Sequence, residues 1–131
     1  MSKKVAARPG GMHTVVETHA FRRQAEAAGM TEEEINGLIV ELATDPAAGV
    51  AISGTGGCRK VRVAGRGKGK SGGYRVITFY SGSEIPVFLI AVFSKGERAD
   101  LSQKERNALA ALTKSIVAEY RARIVKASAG A

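Results

Sequence analysis

The chain predicts an α+β fold, because helix-patterned stretches flank a block of strand-patterned ones and the strands follow one another with only turns between them. Strands adjacent in sequence pair as an antiparallel meander. The expected architecture is therefore an antiparallel curved sheet, element order β-α-α-β-β-β-α, with the helices packed on one face and the other face left for function.

Thr14-Val15-Val16 supplies the first, short β-branched strand. Thr18 can cap a helix lined on one side by Phe21, Ala25 and Ala28 and closed by Gly29. Thr31-Glu-Glu-Glu34 fits a capping box, with carboxylates near the positive end of the helix dipole. Ile35, Leu38, Ile39 and Leu42 form that helix's stripe, and Asp45-Pro46 stops it. Arg59–Val63 and Tyr74–Tyr80 alternate in the two-residue period of strands, joined by a long glycine-rich hairpin loop. Pro86–Phe93 is nearly all apolar, the pattern of a central strand covered on much of both faces. Ser102-Gln-Lys-Glu105 is a second capping box, and the helix it opens carries Leu109, Leu112, Ile116, Tyr120 and Ile124 at helical spacing.

With 131 residues and 44% apolar content, the chain fits one domain over residues 12–126, between a disordered leader (1–11) and a flexible tail (127–131). A formal charge of +8 favours a polyanionic or acidic partner. A lone cysteine, Cys58, rules out an internal disulfide and a cysteine-only zinc site. It reads as a small buried filler, with thiol activation by Arg59 and Lys60 as the lesser alternative. The basic N-terminus lacks an apolar segment behind it, and no stretch approaches a membrane span, so a cytoplasmic location is expected. Neither a cofactor nor a bound metal is expected.

From Gly54 to Arg75 the chain concentrates Arg59, Lys60, Arg62, Arg66, Lys68, Lys70 and Arg75 among glycines, and no Asp or Glu occurs between Asp45 and Glu84. Such a segment reads as a surface for phosphates, with glycines letting the backbone approach a polyanion. The bland alternative is a solvated strand edge that resists aggregation. Gly69-Lys70-Ser71 is no nucleotide-triphosphate loop, because Ala64 replaces the first required glycine and a strand, not a helix, follows. Strand periodicity puts Lys60 and Arg62 on one face and Arg59, Val61 and Val63 on the other. Arg75 shares its face with Ile77 and Phe79, so it joins the cluster only if these also turn there or if its guanidinium reaches past the strand end, a choice that a twist or bulge after Gly73 can decide. His13 and His19 read as structural or exposed.

The order of elements resembles that of the RelE/ParE superfamily of toxins from toxin–antitoxin modules, and more narrowly its HigB-like branch. So do Gly54-Thr-Gly-Gly57 leading into Arg59-Lys60-x-Arg62, Gly69-Lys70-Ser71-Gly-Gly-Tyr-Arg-Val-Ile77, and Ser94-Lys95-x-Glu97 with Asp100-Leu101-Ser102. The resemblance implies a RelE-like small domain and cleavage of messenger RNA on the ribosome, without a metal. The cognate antitoxin, the ribosome and mRNA would be its partners, with no membrane involved. By the same resemblance Lys60, Arg62, Arg75 and Lys95 are the catalytic candidates, and Arg59, Arg66, Lys68 and Lys70 the RNA- or ribosome-binding ones. Family members often carry a tyrosine or histidine near the C-terminus, where Leu101 and Ser102 stand here.

Cleavage by a neighbouring 2′-hydroxyl needs a base, donors for the phosphorane and an acid for the 5′-oxygen. Arginines suit the middle task. Alternatives on the same chain are a ParE-like inhibitor of DNA gyrase and a noncatalytic RNA- or ribosome-binding module, the latter disfavoured by few aromatics for base stacking.

Overall fold

The computed structural model describes residues 2–4, 12–65, 69–94 and 100–130. Its strands are β1 (Ser2–Lys4), β2 (Val15–Glu17), β3 (Val50–Ala51), β4 (Cys58–Gly65), β5 (Gly69–Phe79) and β6 (Val87–Ser94). Its helices are α1 (His19–Ala27), α2 (Glu32–Thr44) and α3 (Gln103–Gly130). One six-stranded sheet runs in the order β1-β2-β6-β5-β4-β3.

The α+β class and the run of strands between helices are as the sequence predicts. Thr18 accepts from the Phe21 amide at 3.1 Å as the α1 cap. Thr31 and Glu34 close the reciprocal box of α2. Ser102 and Glu105 do the same before α3, at 2.8 and 3.2 Å. Gly29, at φ +81°, turns the chain out of α1.

Several expectations are corrected. The sheet is mixed rather than wholly antiparallel, since β2 lies parallel to β6, with Val15 opposite Val87. The chain returns to β2's side only after two helices and the meander, a crossover that parallel pairing requires. Two short edge strands are added to the predicted order. In the segment read as a leader, Ser2–Lys4 pairs with β2, satisfying backbone groups that β2 would otherwise leave open on that side. In the segment read as a tail, α3 continues to Gly130, through alanines that favour helix. The hairpin loop is shorter than expected, for β4 and β5 extend until Gly65 faces Gly69.

The largest correction concerns the layers, because the helices cover both faces. On one face Val15, Val61, Tyr74, Val76, Val87, Leu89 and Val92 pack against Phe21 and Ala25 of α1 and Ile35, Leu38, Ile39 and Leu42 of α2. On the other, Cys58, Ile77, Phe79, Phe88, Ile90 and Phe93 pack under Ile116 of α3, with Leu109, Val117 and Tyr120 at the margin. Pleat alternation along β5 and β6 turns apolar side chains to both sides, and each side needs a cover. Tyr120 meets the Phe88 ring edge-on at 5.6 Å between centroids.

Candidate nucleic-acid interface

On β4, Val61 enters the core under α1 and α2 while Cys58 enters the core under α3. Alternation then sends Lys60 and Arg62 to the α3 face and Arg59 to the opposite one, as the sequence predicts. The register puts Arg62 directly opposite Arg75, and Lys60 opposite Ile77. Arg75 shares the α3 face with Ile77 and Phe79, the first of the two alternatives left open by the sequence. That face therefore has an apolar end, closed by α3, and a cationic end where Arg62 is exposed and Lys60 and Arg75 are half-buried.

Opposite residues on paired strands bring their Cβ atoms to about 5 Å, where like charges repel. Two arginines in register therefore make a pair that an anion between them would stabilise. Next to Arg75 across the sheet stands Phe93. Phe93, Ile77, Ala91, Leu101, Leu109 and Leu112 line a groove of about 440 Å³ between the sheet and α3.

Beyond the strands, the loop before α3 brings Asp100 to the cluster. Its Oδ1 accepts from the Leu101 amide at 2.8 Å, and its Oδ2 accepts from Arg106 Nη2 at 3.3 Å. The Leu101 hydrogen bond chiefly, then the charges of Arg106, Lys60 and Arg75, hold this exposed carboxyl below the ordinary range. Arg106 Nη1 also donates to Ser53 Oγ at 3.3 Å.

A model of the family described as RelE toxin of the RelE / RelB toxin-antitoxin system matches residues 13–130, nearly the whole chain. The chain belongs to the RelE toxin family. Membership makes it the toxin of a toxin–antitoxin pair and implies an antitoxin partner.

In this RelE-family toxin, Lys60, Arg62 and Arg75 are brought together on one face, and Arg59 is not among them. Arg66, Lys68 and Lys95 lie outside the described residues, and of Lys70 only the backbone, within β5, is described. Gly54-Thr-Gly-Gly57 packs against α3 and the Phe79 ring. Thr55 is buried, and its hydroxyl accepts from the Cys58 amide at 3.1 Å. Its carbonyl accepts from Thr113 Oγ1 of α3 at 2.9 Å. These glycines serve close packing: a Cβ on Gly56 would stand 2.6 Å from Thr113 Oγ1, and one on Gly57 3.1 Å from the Phe79 ring.

Cys58 is fully buried, and burial pushes its thiol up to about 11 against a lowering hydrogen bond from Thr55. That environment opposes thiolate chemistry. His13 belongs to the scaffold, with Nε2 2.9 Å from the Ile85 carbonyl and its ring edge-on to Tyr80. His19 is exposed at the start of α1. Among the described residues no cluster of His, Cys, Asp and Glu could hold a metal ion, and no helix is long and apolar enough to cross a membrane.

Sequence reasoning did not place Asp100 and Arg106 near the cationic cluster. Arg106 sits on a helix read only from its capping box and apolar stripe, and the docking of α3 against the sheet brings it to Ser53. The capping box that sets where α3 begins was the one available signal.

Proposed function

We propose that this toxin is a ribosome-dependent endoribonuclease of the HigB-like branch, acting in the cytoplasm on messenger RNA. The observation that supports this reading is the in-register pair Arg62 and Arg75, with Lys60 one step along β4, at the uncovered end of the α3 face. Guanidiniums at that spacing suit the equatorial oxygens of a phosphorane, which carries more negative charge than the diester it forms from. The substrate's 2′-oxygen attacks phosphorus while the bond to the 5′-oxygen breaks, leaving a 2′,3′-cyclic phosphate and a 5′-hydroxyl. The 2′-proton passes to a base and another proton is delivered to the departing 5′-oxygen. Lys60 and Lys95 are the lysines proposed for this proton traffic, with Arg66, Lys68 and Lys70 gripping RNA or ribosome along the β4–β5 hairpin. The antitoxin surface that meets the cluster is expected to be acidic.

The test is induction in a translating extract with transcript ends mapped. Arg75→Ala and Arg62→Ala should each lower cleavage about 10²- to 10³-fold, the scale of losing one transition-state donor, with folding intact by circular dichroism. Arg59→Ala, on the opposite face, should retain cleavage within a few-fold. Full cleavage by Arg75→Ala would remove the pair from the mechanism. A DNA-damage response with transcripts intact would transfer the protein to the gyrase-poisoning reading.

A further inference from the structure

Lys60, Arg62 and Arg75 all come from the sheet, so by themselves they offer phosphate a single wall. Asp100 shows where a second wall stands. Its carboxylate is fixed by the Leu101 amide and by Arg106, and it feels Lys60 and Arg75 as well. Arg106 of α3 thus meets the chain's own carboxylate directly, and Lys60 of β4 and Arg75 of β5 lie within electrostatic reach of it.

Arg106 reaches that point as a braced side chain. Its Nη1 is tied to Ser53 Oγ in the turn before β4 and its Nη2 to Asp100, each at 3.3 Å. Its backbone amide donates to the Ser102 carbonyl at 3.0 Å, placing it in the first turn of α3 just behind the capping box. A guanidinium has five N–H donors in a planar fork, so two anchors leave others for a ligand. Anchoring from both sides also lowers the entropy lost when such a ligand binds.

We propose that Arg106 contacts an RNA phosphate from the helix side of the cleft, opposite Arg62 and Arg75, and that Asp100 and Ser53 orient it for this. The RNA chain is then gripped between sheet and α3 rather than laid on an open sheet. This inference rests on the endoribonuclease reading, and the experiment separates the two.

The measurement is equilibrium binding of a labelled single-stranded RNA of roughly ten nucleotides to the full chain across a salt series. The RNA is 2′-O-methylated so that it cannot be cleaved. Each phosphate contact on a single strand contributes about 0.7 to the slope of log affinity against log salt. Arg106→Gln should lower the magnitude of that slope by about 0.7 and weaken binding several-fold at low salt, while Arg106→Lys restores most of the slope. Arg62→Gln is the reference. A thermal melt accompanies each variant, because a merely structural Arg106 would shift the melting temperature and leave the salt slope alone. If Arg62→Gln lowers the slope and Arg106→Gln does not, Arg106 is no phosphate contact, although the RNA reading stands. If neither variant changes the slope, or wild type fails to bind, this inference falls, while the ribosome-dependent cleavage reading is decided by the extract assay.

Discussion

Cys58 and Arg75 show how one side chain's setting decides its chemistry. The Cys58 thiol lies under α3 with no exposure, and burial raises its ionisation to about 11 from an ordinary 9.0. Between those values an unfolded chain releases the thiol proton while the folded chain keeps it. The folded state then binds more protons, and stability falls as pH rises through that window. Cys58→Ala removes this component but not that of other groups titrating there. The denaturant midpoint of wild type should thus fall more steeply between pH 9 and 11 than that of the variant, and equal slopes would refute the raised value. In the native state at pH 8 a thiol reagent should react at least about tenfold more slowly than after unfolding. For Lys60, Arg62 and Arg59 the two-residue period alone was sufficient to assign faces. For Arg75 it was not, because its strand partners Ile77 and Phe79 are core residues, and only a helix covering part of that face lets both kinds share it.

At the scale of elements, local chemistry was legible and lateral placement was not. Thr18, Thr31 with Glu34, and Ser102 with Glu105 cap the helices their sequences promise, since capping depends on residues three apart. Which sheet face α3 covers depends on contacts across the fold: Ile116 against the strands and Thr113 against Thr55. An apolar stripe states that a helix buries one side without saying against what. The same limit applies to Gly54-Thr-Gly-Gly57, whose glycines open the segment read as a surface for phosphates and whose joint with α3 was not legible. Gly54 and Gly56 allow a clean test of the joint, having φ of +75° and +76°. A Cβ at Gly54 meets nothing within 4 Å, whereas one at Gly56 would stand 2.6 Å from Thr113 Oγ1. Gly54→Ala should cost about 1 kcal/mol for the backbone alone. Gly56→Ala should cost about 2–3 kcal/mol, as steric strain adds to the same backbone term. Equal losses in chemical denaturation would mean that the loop does not bear on α3.

Taken whole, the molecule has two apolar cores that share one sheet. Tyr74 and Val76 of β5 face one core, Ile77 and Phe79 the other, and β6 divides Val87 and Leu89 from Phe88 and Ile90 in the same way. Neither core can lose its strands without stripping the other, so the helices on opposite faces should unfold as one unit. Phe88 is the residue to test, being fully buried and touching both Phe79 and the ring of Tyr120 on α3. Phe88→Ala should cost about 3–5 kcal/mol, the usual range for emptying a buried aromatic site. Although Phe88 points away from α1 and α2, native-state hydrogen exchange should show their most protected amides losing as much protection as those of α3. Tyr120 reports the α3 core in near-ultraviolet dichroism, Tyr74 and Tyr80 the other, and their urea transitions should coincide in wild type and variant. An α3 that melts first, with α1 and α2 still protected, would show separable layers. In that case Arg106 and Asp100 could leave the cleft while Arg62 and Arg75 stay paired, and the helix-side wall would be a movable part instead of a fixed one.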